Sequence, residues 1–372
     1  MICKREKCYG CYACYNICPK NAIMMCEDKY GHIYPEINKE KCVSCGMCKI
    51  ICPGITMKKK LKEPISCYAA FSRDNYIHKT SSSGGVAIEF SKKILESKGV
   101  VYAVSSYLDE DKEISFTKID DNKNLCKIQG SKYVHAYIKY TLREIKRDLD
   151  EGKQVLFVGT PCQVAGLYNF LGRNNENLIC IDLICHGVPS QKMLKEEIGK
   201  DFDYIKFRGQ EGFKLIAKKN NKIVSRKNQY ESDYFYAFLE GIGYRKNCYE
   251  CKFATKKRIG DLTIGDFWGY KKIKQNEGIS LVLVNTKKGE LFFREINNLN
   301  TFEADIDVAI KGNSQLYQPT LKTEKAICFE NEYDEGNYKR TIHGINGLKK
   351  TFYIKVKGKL KRIRDKVIRL WN

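Results

Sequence analysis

A run of four cysteines closed by a proline occurs twice: Cys8-x-x-Cys11-x-x-Cys14-x-x-x-Cys18-Pro19 recurs as Cys42-x-x-Cys45-x-x-Cys48-x-x-x-Cys52-Pro53. The repeat constrains folding strongly, because residues 1–60 lack the long amphipathic runs that build a conventional core. This segment has to fold around something other than its side chains. A cubane iron-sulfur cluster needs four thiolates on one small cube, and this run supplies three from one tight loop while sending its fourth to the other cluster. Crossing over groups Cys8, Cys11, Cys14 and Cys52 on one 4Fe-4S cluster, and Cys42, Cys45, Cys48 and Cys18 on the second. Structural zinc instead uses two separated C-x2-C pairs. Between the motifs, Ala22–Met25 and His32–Ile37 read as two short strands around a turn at Tyr30-Gly31.

The chain has 372 residues, enough for two or three domains. No stretch approaches the roughly 18–20 apolar residues that span a bilayer, and the N-terminus has no apolar leader, so a cytoplasmic location is expected. A reducing cytosol makes a disulfide framework from eighteen cysteines the poorer reading and metal or redox chemistry the better one. The net charge of +22 raises the question of nucleic acid or anionic membrane. Its location decides against nucleic acid: residues 339–372 hold twelve Lys and Arg against Asp365 alone, which accounts for half of the excess. There Phe352, Val356, Leu360, Ile363, Val367 and Leu370 fall on one helical face, describing a basic amphipathic helix suited to peripheral contact with an anionic membrane surface, to a partner, or to packing on the domain.

From Ile65 onward, β-branched runs alternate with helical periodicities, an α/β pattern. Strands are expected at Val100–Val104, Val155–Val158, Leu178–Ile184 and Leu281–Val284, with a hairpin at Asn220-Asn221. A helix is expected after Ser81-Ser82-Ser83-Gly84-Gly85, capped there and stopped at Gly99. The resulting fold class is α/β: a dicluster ferredoxin unit at 1–63, a larger mixed-sheet domain at 64–331 and a basic tail at 332–372, with Lys58–Pro64 as linker.

A third cysteine set is less regular: Cys162, Cys185 and the pair Cys248/Cys251. Cys162 and Cys185 follow expected strands, so a parallel sheet would gather them at one edge with the later pair closing a four-ligand site. Two buried thiols plus a zinc half-site fit the spacing as well. Clusters pass single electrons, so metabolic chemistry calls for a converter, most often a flavin. No G-x-G-x-x-G follows a strand; Ser82, Ser83, Gly84 and Gly85 at a helix start offer a phosphate cradle, or simply a cap.

Taken together, Ser81–Gly85, Leu156–Gln163, Asp182–Ser190, Cys248–Cys251 and Arg258–Gly269 resemble the beta subunits of coenzyme F420-reducing hydrogenases and dehydrogenases, over nearly the whole chain before the tail. The resemblance implies FAD at the Ser-Gly-Gly helix start and near Gly159 and Thr160, and a cluster on Cys162, Cys185, Cys248 and Cys251. The fused ferredoxin unit and the cationic tail depart from those subunits, and no residue identifies a deazaflavin pocket.

The expected function is an oxidoreductase in which 4Fe-4S clusters and FAD exchange electrons, with hydride transfer to an unidentified small substrate. His186, beside Cys185, is the candidate proton source, or else orients the cluster. Arg258 and Asp266 are placed as flavin or substrate contacts; the alternative is that they close a turn. The alternative function is an electron-transfer subunit serving a partner enzyme. A redox donor or acceptor protein is expected in either case.

Overall fold

The computed structural model describes residues 2–209, 212–272 and 278–347. Its strands, in chain order, are β1 (Ile23–Glu27), β2 (Ile33–Ile37), β3 (Ser66–Ser72), β4 (Val100–Val104), β5 (Phe116–Ile119), β6 (Val155–Gly159), β7 (Leu178–Leu183), β8 (Tyr204–Gly209), β9 (Gly212–Lys219), β10 (Lys222–Asn228), β11 (Leu262–Asp266), β12 (Ser280–Val284) and β13 (Leu299–Glu303). Eight form one mixed sheet in the order β13-β3-β12-β11-β7-β6-β4-β5. The chain is α/β, as its alternating pattern implies.

The middle of that sheet, β4-β6-β7-β11, is parallel, while β5 and β12 run antiparallel to their neighbours. Parallel strands are covered on both faces, which is why β6 and β7 read as near-continuous apolar runs. β3 pairs antiparallel with β12 and therefore points the same way as β6 and β7. The carboxyl ends of β3, β11, β7 and β6 consequently share one edge. Outside the sheet, Asn220 and Asn221 take φ of +48° and +63° to turn β9 into β10, the left-handed pair that a two-residue hairpin requires.

At the N-terminus β1 and β2 form the expected ribbon, in register Ile23↔Ile37. The ferredoxin unit is not a separate body. Tyr9, Cys11, Tyr12, Ala13, Ile33 and Ile51 belong to the same core cluster as Tyr102, Phe157, Val164 and Phe235. Polar ties reinforce the joint: Asn16 Nδ2 donates to the Lys139 carbonyl at 2.8 Å, Arg143 Nε to the Asn16 carbonyl at 2.7 Å, and Asn169 Nδ2 to the Ile51 carbonyl at 3.0 Å.

Two sequence expectations change. The segment Lys58–Pro64 is held against the domain: the Lys58 amide donates to Asn169 Oδ1, the Lys59 ammonium lies 3.5 Å from the Tyr168 ring centroid, and Lys62 bridges to Arg258. A linker reading failed because lysine-rich composition says nothing of what the stems pack on. Likewise, the helix Tyr338–Asn346 buries Tyr338 and Ile342 and docks through Tyr338 N–H to Glu196, so the main body continues past residue 332. The amphipathic helix expected over Phe352–Leu370 lies outside the described residues. Among the described residues no helix is long and apolar enough to cross a membrane.

Candidate functional site

Each cysteine run wraps a short helix, Ala13–Ile17 in the first and Met47–Ile50 in the second, each entered through a left-handed residue, Tyr12 at φ +57° and Gly46 at φ +73°. Those reversals turn successive thiols inward. Cys8, Cys11, Cys14 and Cys52 line one recess with Ile2, Tyr9 and Pro35. Cys18 and Cys45 act electrostatically on Cys48, and Cys42 opens the same loop. The structure thus puts Cys52 with the first run and Cys18 with the second. Cys3 also lines the first recess, where its thiol interacts with those of Cys52 and Cys8. That contact, helped by the nearby Arg245, outweighs burial, which would raise the Cys8 thiol, and draws it down to about 6.

Cys162, Cys185, Cys248 and Cys251 line a second recess, together with Tyr9, His135, Thr160, His186 and Arg245. Topology explains the convergence. Cys162 sits at the start of the helix Pro161–Leu171 after β6, and Cys185 lies two residues past the adjacent parallel β7. Burial raises all four thiols, Cys162 and Cys185 to about 12, so a bound cation or cluster is what would make thiolates of them. Thr160 Oγ1 is 3.2 Å from Cys162 Sγ.

Tyr9 belongs to both recesses, forming their shared wall. A Cβ placed on Gly166, one helical turn beyond Cys162, would stand 2.9 Å from Cys11 Cβ. Four residues of helix rise only about 6 Å, so the two cysteine sites are near neighbours.

Arg245 spans the same partition. It is 1% exposed, donates from Nε to the Cys8 carbonyl at 2.8 Å and from its second amino group to Cys8 Sγ at 3.3 Å, and stacks 4.2 Å from the Tyr34 ring centroid. Burial opposes its charge while Cys8, Tyr34 and Cys248 favour it, and among the described residues no carboxylate forms an ion pair with it. Among the described residues, its remaining amino group, both His135 ring nitrogens, Asn247 Oδ1 and Gln315 Oε1 are buried without a hydrogen-bond partner, and all four residues line the second recess. Buried polar groups rarely stay unsatisfied. A flipped amide presents N–H groups and a neutral imidazole one N–H, so Arg245, His135, Asn247 and Gln315 can each offer a donor to the sulfurs of an anionic cluster. The sequence offers no motif for Arg245, Tyr9 or His135.

Along the sheet edge, the Ser-Gly segment departs from its expected role as a cap. The helix after it runs Val86–Glu96 with Gly85 at φ +80° as N-cap and no side-chain bond to the first turn. Ser82 Oγ accepts the Ser131 amide, Ser83 Oγ donates to the Ile279 carbonyl, and the Gly84 amide donates to Ser280 Oγ. Gly84 has no alternative, since a Cβ would meet the Ala70 carbonyl oxygen at 2.3 Å. Farther along, Asp266 ends β11 and pairs with Arg208 at 2.5 Å, and His186, solvent-exposed in a recess whose walls desolvate it, has its pKa lowered. From β3 to β6 is four strand spacings, about 19 Å at ~4.8 Å each. Gly159 and Thr160 stand at the far end.

Arg258 is a correction. It is buried, and every guanidinium nitrogen donates within the protein, to Asp182 and Thr263 and to the carbonyls of Phe253, Thr255 and Leu183. No donor remains for a cofactor, because the turn it closes takes them all.

Residues 152–306 match the family model for the C terminus of the coenzyme F420 hydrogenase/dehydrogenase beta subunit, and residues 67–143 match the model for the N-terminal part of the same protein. The chain belongs to this beta-subunit family. Residues 7–54 match a 4Fe-4S dicluster domain, so this family member carries iron-sulfur clusters in its N-terminal unit. A solved structure of the F420-reducing [NiFe] hydrogenase complex from Methanosarcina barkeri is similar at 17% identity and TM-score 0.47, covering 68% of this chain and 90% of that one. No curated protein matches in sequence.

Proposed function

We propose that this member of the beta-subunit family is an iron-sulfur flavoprotein oxidoreductase with three 4Fe-4S clusters and one FAD. Its own residues bring a surface cluster, an inner cluster and the Cys162/Cys185/Cys248/Cys251 site into sequence behind the carboxyl edge of the main sheet. The observation that carries this reading is the shared wall of Tyr9 and Arg245 between two cysteine recesses, the second of which opens past His186 onto that edge. Ligands of open α/β sheets bind at such edges.

Zinc is the poorer occupant. Zn–S bonds of about 2.3 Å put tetrahedral thiolates ~3.8 Å apart. Among the described residues no three of the cysteine sulfurs lie mutually within 4.8 Å, wider than that tetrahedral spacing.

A bound FAD would supply the conversion between single electrons and a hydride. The roughly 19 Å from the Ser82–Gly85 helix start to Gly159 and Thr160 is long enough for an extended dinucleotide. At that edge the uncapped helix start would hold the pyrophosphate, Asp266 stays fixed by Arg208, and His186 would hold or pass a proton. The acceptor would be coenzyme F420 or another small hydride carrier. Anaerobically isolated protein should contain about twelve irons and one FAD. Eight irons with no flavin would leave an electron-transfer subunit for a partner enzyme, and stoichiometric zinc on the third site would refute the cluster there.

A further inference from the structure

We infer that the loop carrying the second cysteine run is a docking face for an acidic one-electron carrier protein; this rests on the proposed relay and names its partner. Cys8, Cys11, Cys14 and Cys52 are buried and Cys162, Cys185, Cys248 and Cys251 half-buried, but Cys45 is exposed at the tip of the loop, beside Ser44 at φ +52°. Around it the loop holds three large apolar side chains out in solvent: Val43 at 59%, Met47 at 38% and Ile50 at 62% exposure. These positions flank the ligands Cys42, Cys45 and Cys48, so the apolar patch surrounds the most exposed of the candidate ligand cysteines.

Lysines rim the patch. Lys39, Lys41 and Lys49 on the loop, and Lys20 beside Cys18, are exposed, against Glu40 and Glu36. An apolar centre within a polar rim is the usual anatomy of an interface. A cationic rim selects an anionic partner and repels a second copy of the same face, which would oppose lysine to lysine. The patch is also small. Weak electron-transfer encounters bury less than about 1,200 Å² in total, so a carrier that docks, passes one electron and leaves fits better than a permanent subunit. The step is one electron from the reduced carrier to the surface cluster, with no proton and no bond made or broken.

The test uses the full holoprotein under anaerobic conditions. An acidic plant-type [2Fe-2S] ferredoxin and a basic c-type cytochrome serve as opposite-charge probes, with the variants Lys41→Glu/Lys49→Glu and Ile50→Glu. The ferredoxin should react with the parent at a rate that falls steeply with salt. The double variant should lower the low-salt rate at least tenfold and flatten the salt dependence, while cytochrome reacts faster with the variant than with the parent. Ile50→Glu should weaken ferredoxin binding, read by calorimetry, at least fivefold. Equal rates and affinities for parent and variants, or cytochrome matching ferredoxin on the parent, would overturn the docking face. Iron and flavin analysis of the same samples reads the proposed function separately, and calorimetry reports on the face whatever the flavin content proves to be.

Discussion

Replacing Arg245 by glutamine should lower the reduction potential of the inner cluster without removing it. The guanidinium is fully buried and touches Cys8 Sγ at 3.3 Å, and among the described residues no carboxylate pairs with it. An uncompensated buried charge is costly, and the anions at hand are the cysteine sulfurs of the two recesses. The cation therefore makes physical sense when those recesses hold anionic clusters, and each electron added there feels it. At about 6 Å and an effective dielectric near 20, one unit charge stabilises an added electron by ~2.8 kcal/mol. With 1.4 kcal/mol per tenfold and 59 mV per tenfold for one electron, this converts to roughly 120 mV. Glutamine keeps an N–H in reach of Cys8 while removing the charge; Arg245→Lys keeps the charge and should recover more than half of the shift. Redox titration followed by low-temperature electron paramagnetic resonance reads the inner cluster, with iron content as the folding check. The third site should shift less, because Arg245 lines its recess while directing its sulfur contact to Cys8. Full iron loading with both potentials moved by under about 20 mV would refute the electrostatic argument.

Cys185→Ser should reduce iron from about twelve to about eight per chain while the dicluster signals persist; loss of all iron would mean the third site is needed for folding rather than added to it. Gly166→Ala should disturb the inner cluster specifically, because its methyl would stand 2.9 Å from Cys11 Cβ; an unchanged resonance signal and iron content would show that the helix simply yields. Asp148 is nearly inaccessible; desolvation would raise its pKa, but Lys118, Tyr102 and Lys153 outweigh that and hold it at about 2. A depressed carboxylate stabilises above its unfolded value near 3.9 and loses that contribution as pH falls toward 2. Asp148→Asn should thus cost about 1–2 kcal/mol after screening through its partly exposed lysines. That cost should be constant from pH 8 to 5 in urea melts, and a penalty changing across that range would assign it to another group.

What the sequence could tell depended on the range of the interaction. The doubled cysteine run, the Asn220-Asn221 turn and the strand-end positions of Cys162 and Cys185 are local or follow from parallel topology, so spacing and periodicity suffice to find them. Arg245 was illegible because an arginine acquires its role from residues 237 positions away, with Cys8 its partner. The same holds for the shared core of the ferredoxin unit. Its cysteine density reads as self-sufficiency, whereas Tyr9, Tyr12 and Ile33 complete a hydrophobic cluster built mostly by the later domain. The Ser-Gly segment misled in the opposite direction: serines before a helix read as caps, yet their hydroxyls pin the segment to Ser131 and Ile279 and leave the helix start uncapped.

That fusion of cores bears on how electrons would be passed. A ferredoxin unit tethered by a free linker would sample many orientations, and its distance to the third site would fluctuate. Here Asn16, Arg143 and Asn169 fix it with bonds of 2.7–3.0 Å on two sides, and Lys58–Lys62 are pinned rather than slack. Gly166 is a point of close contact at this joint, because any side chain there would press on Cys11 from the helix that begins at Pro161. Rigidity at this joint and exposure at Cys45 are complementary: the fixed spacing would serve the proposed transfer inside the chain, and the open loop the proposed exchange with another molecule. The distinction gives the two faces of the unit different tolerances. Substitutions on the Cys11 side should alter intramolecular electron transfer at every salt concentration, whereas those on the Lys41 and Lys49 side should matter only at low ionic strength.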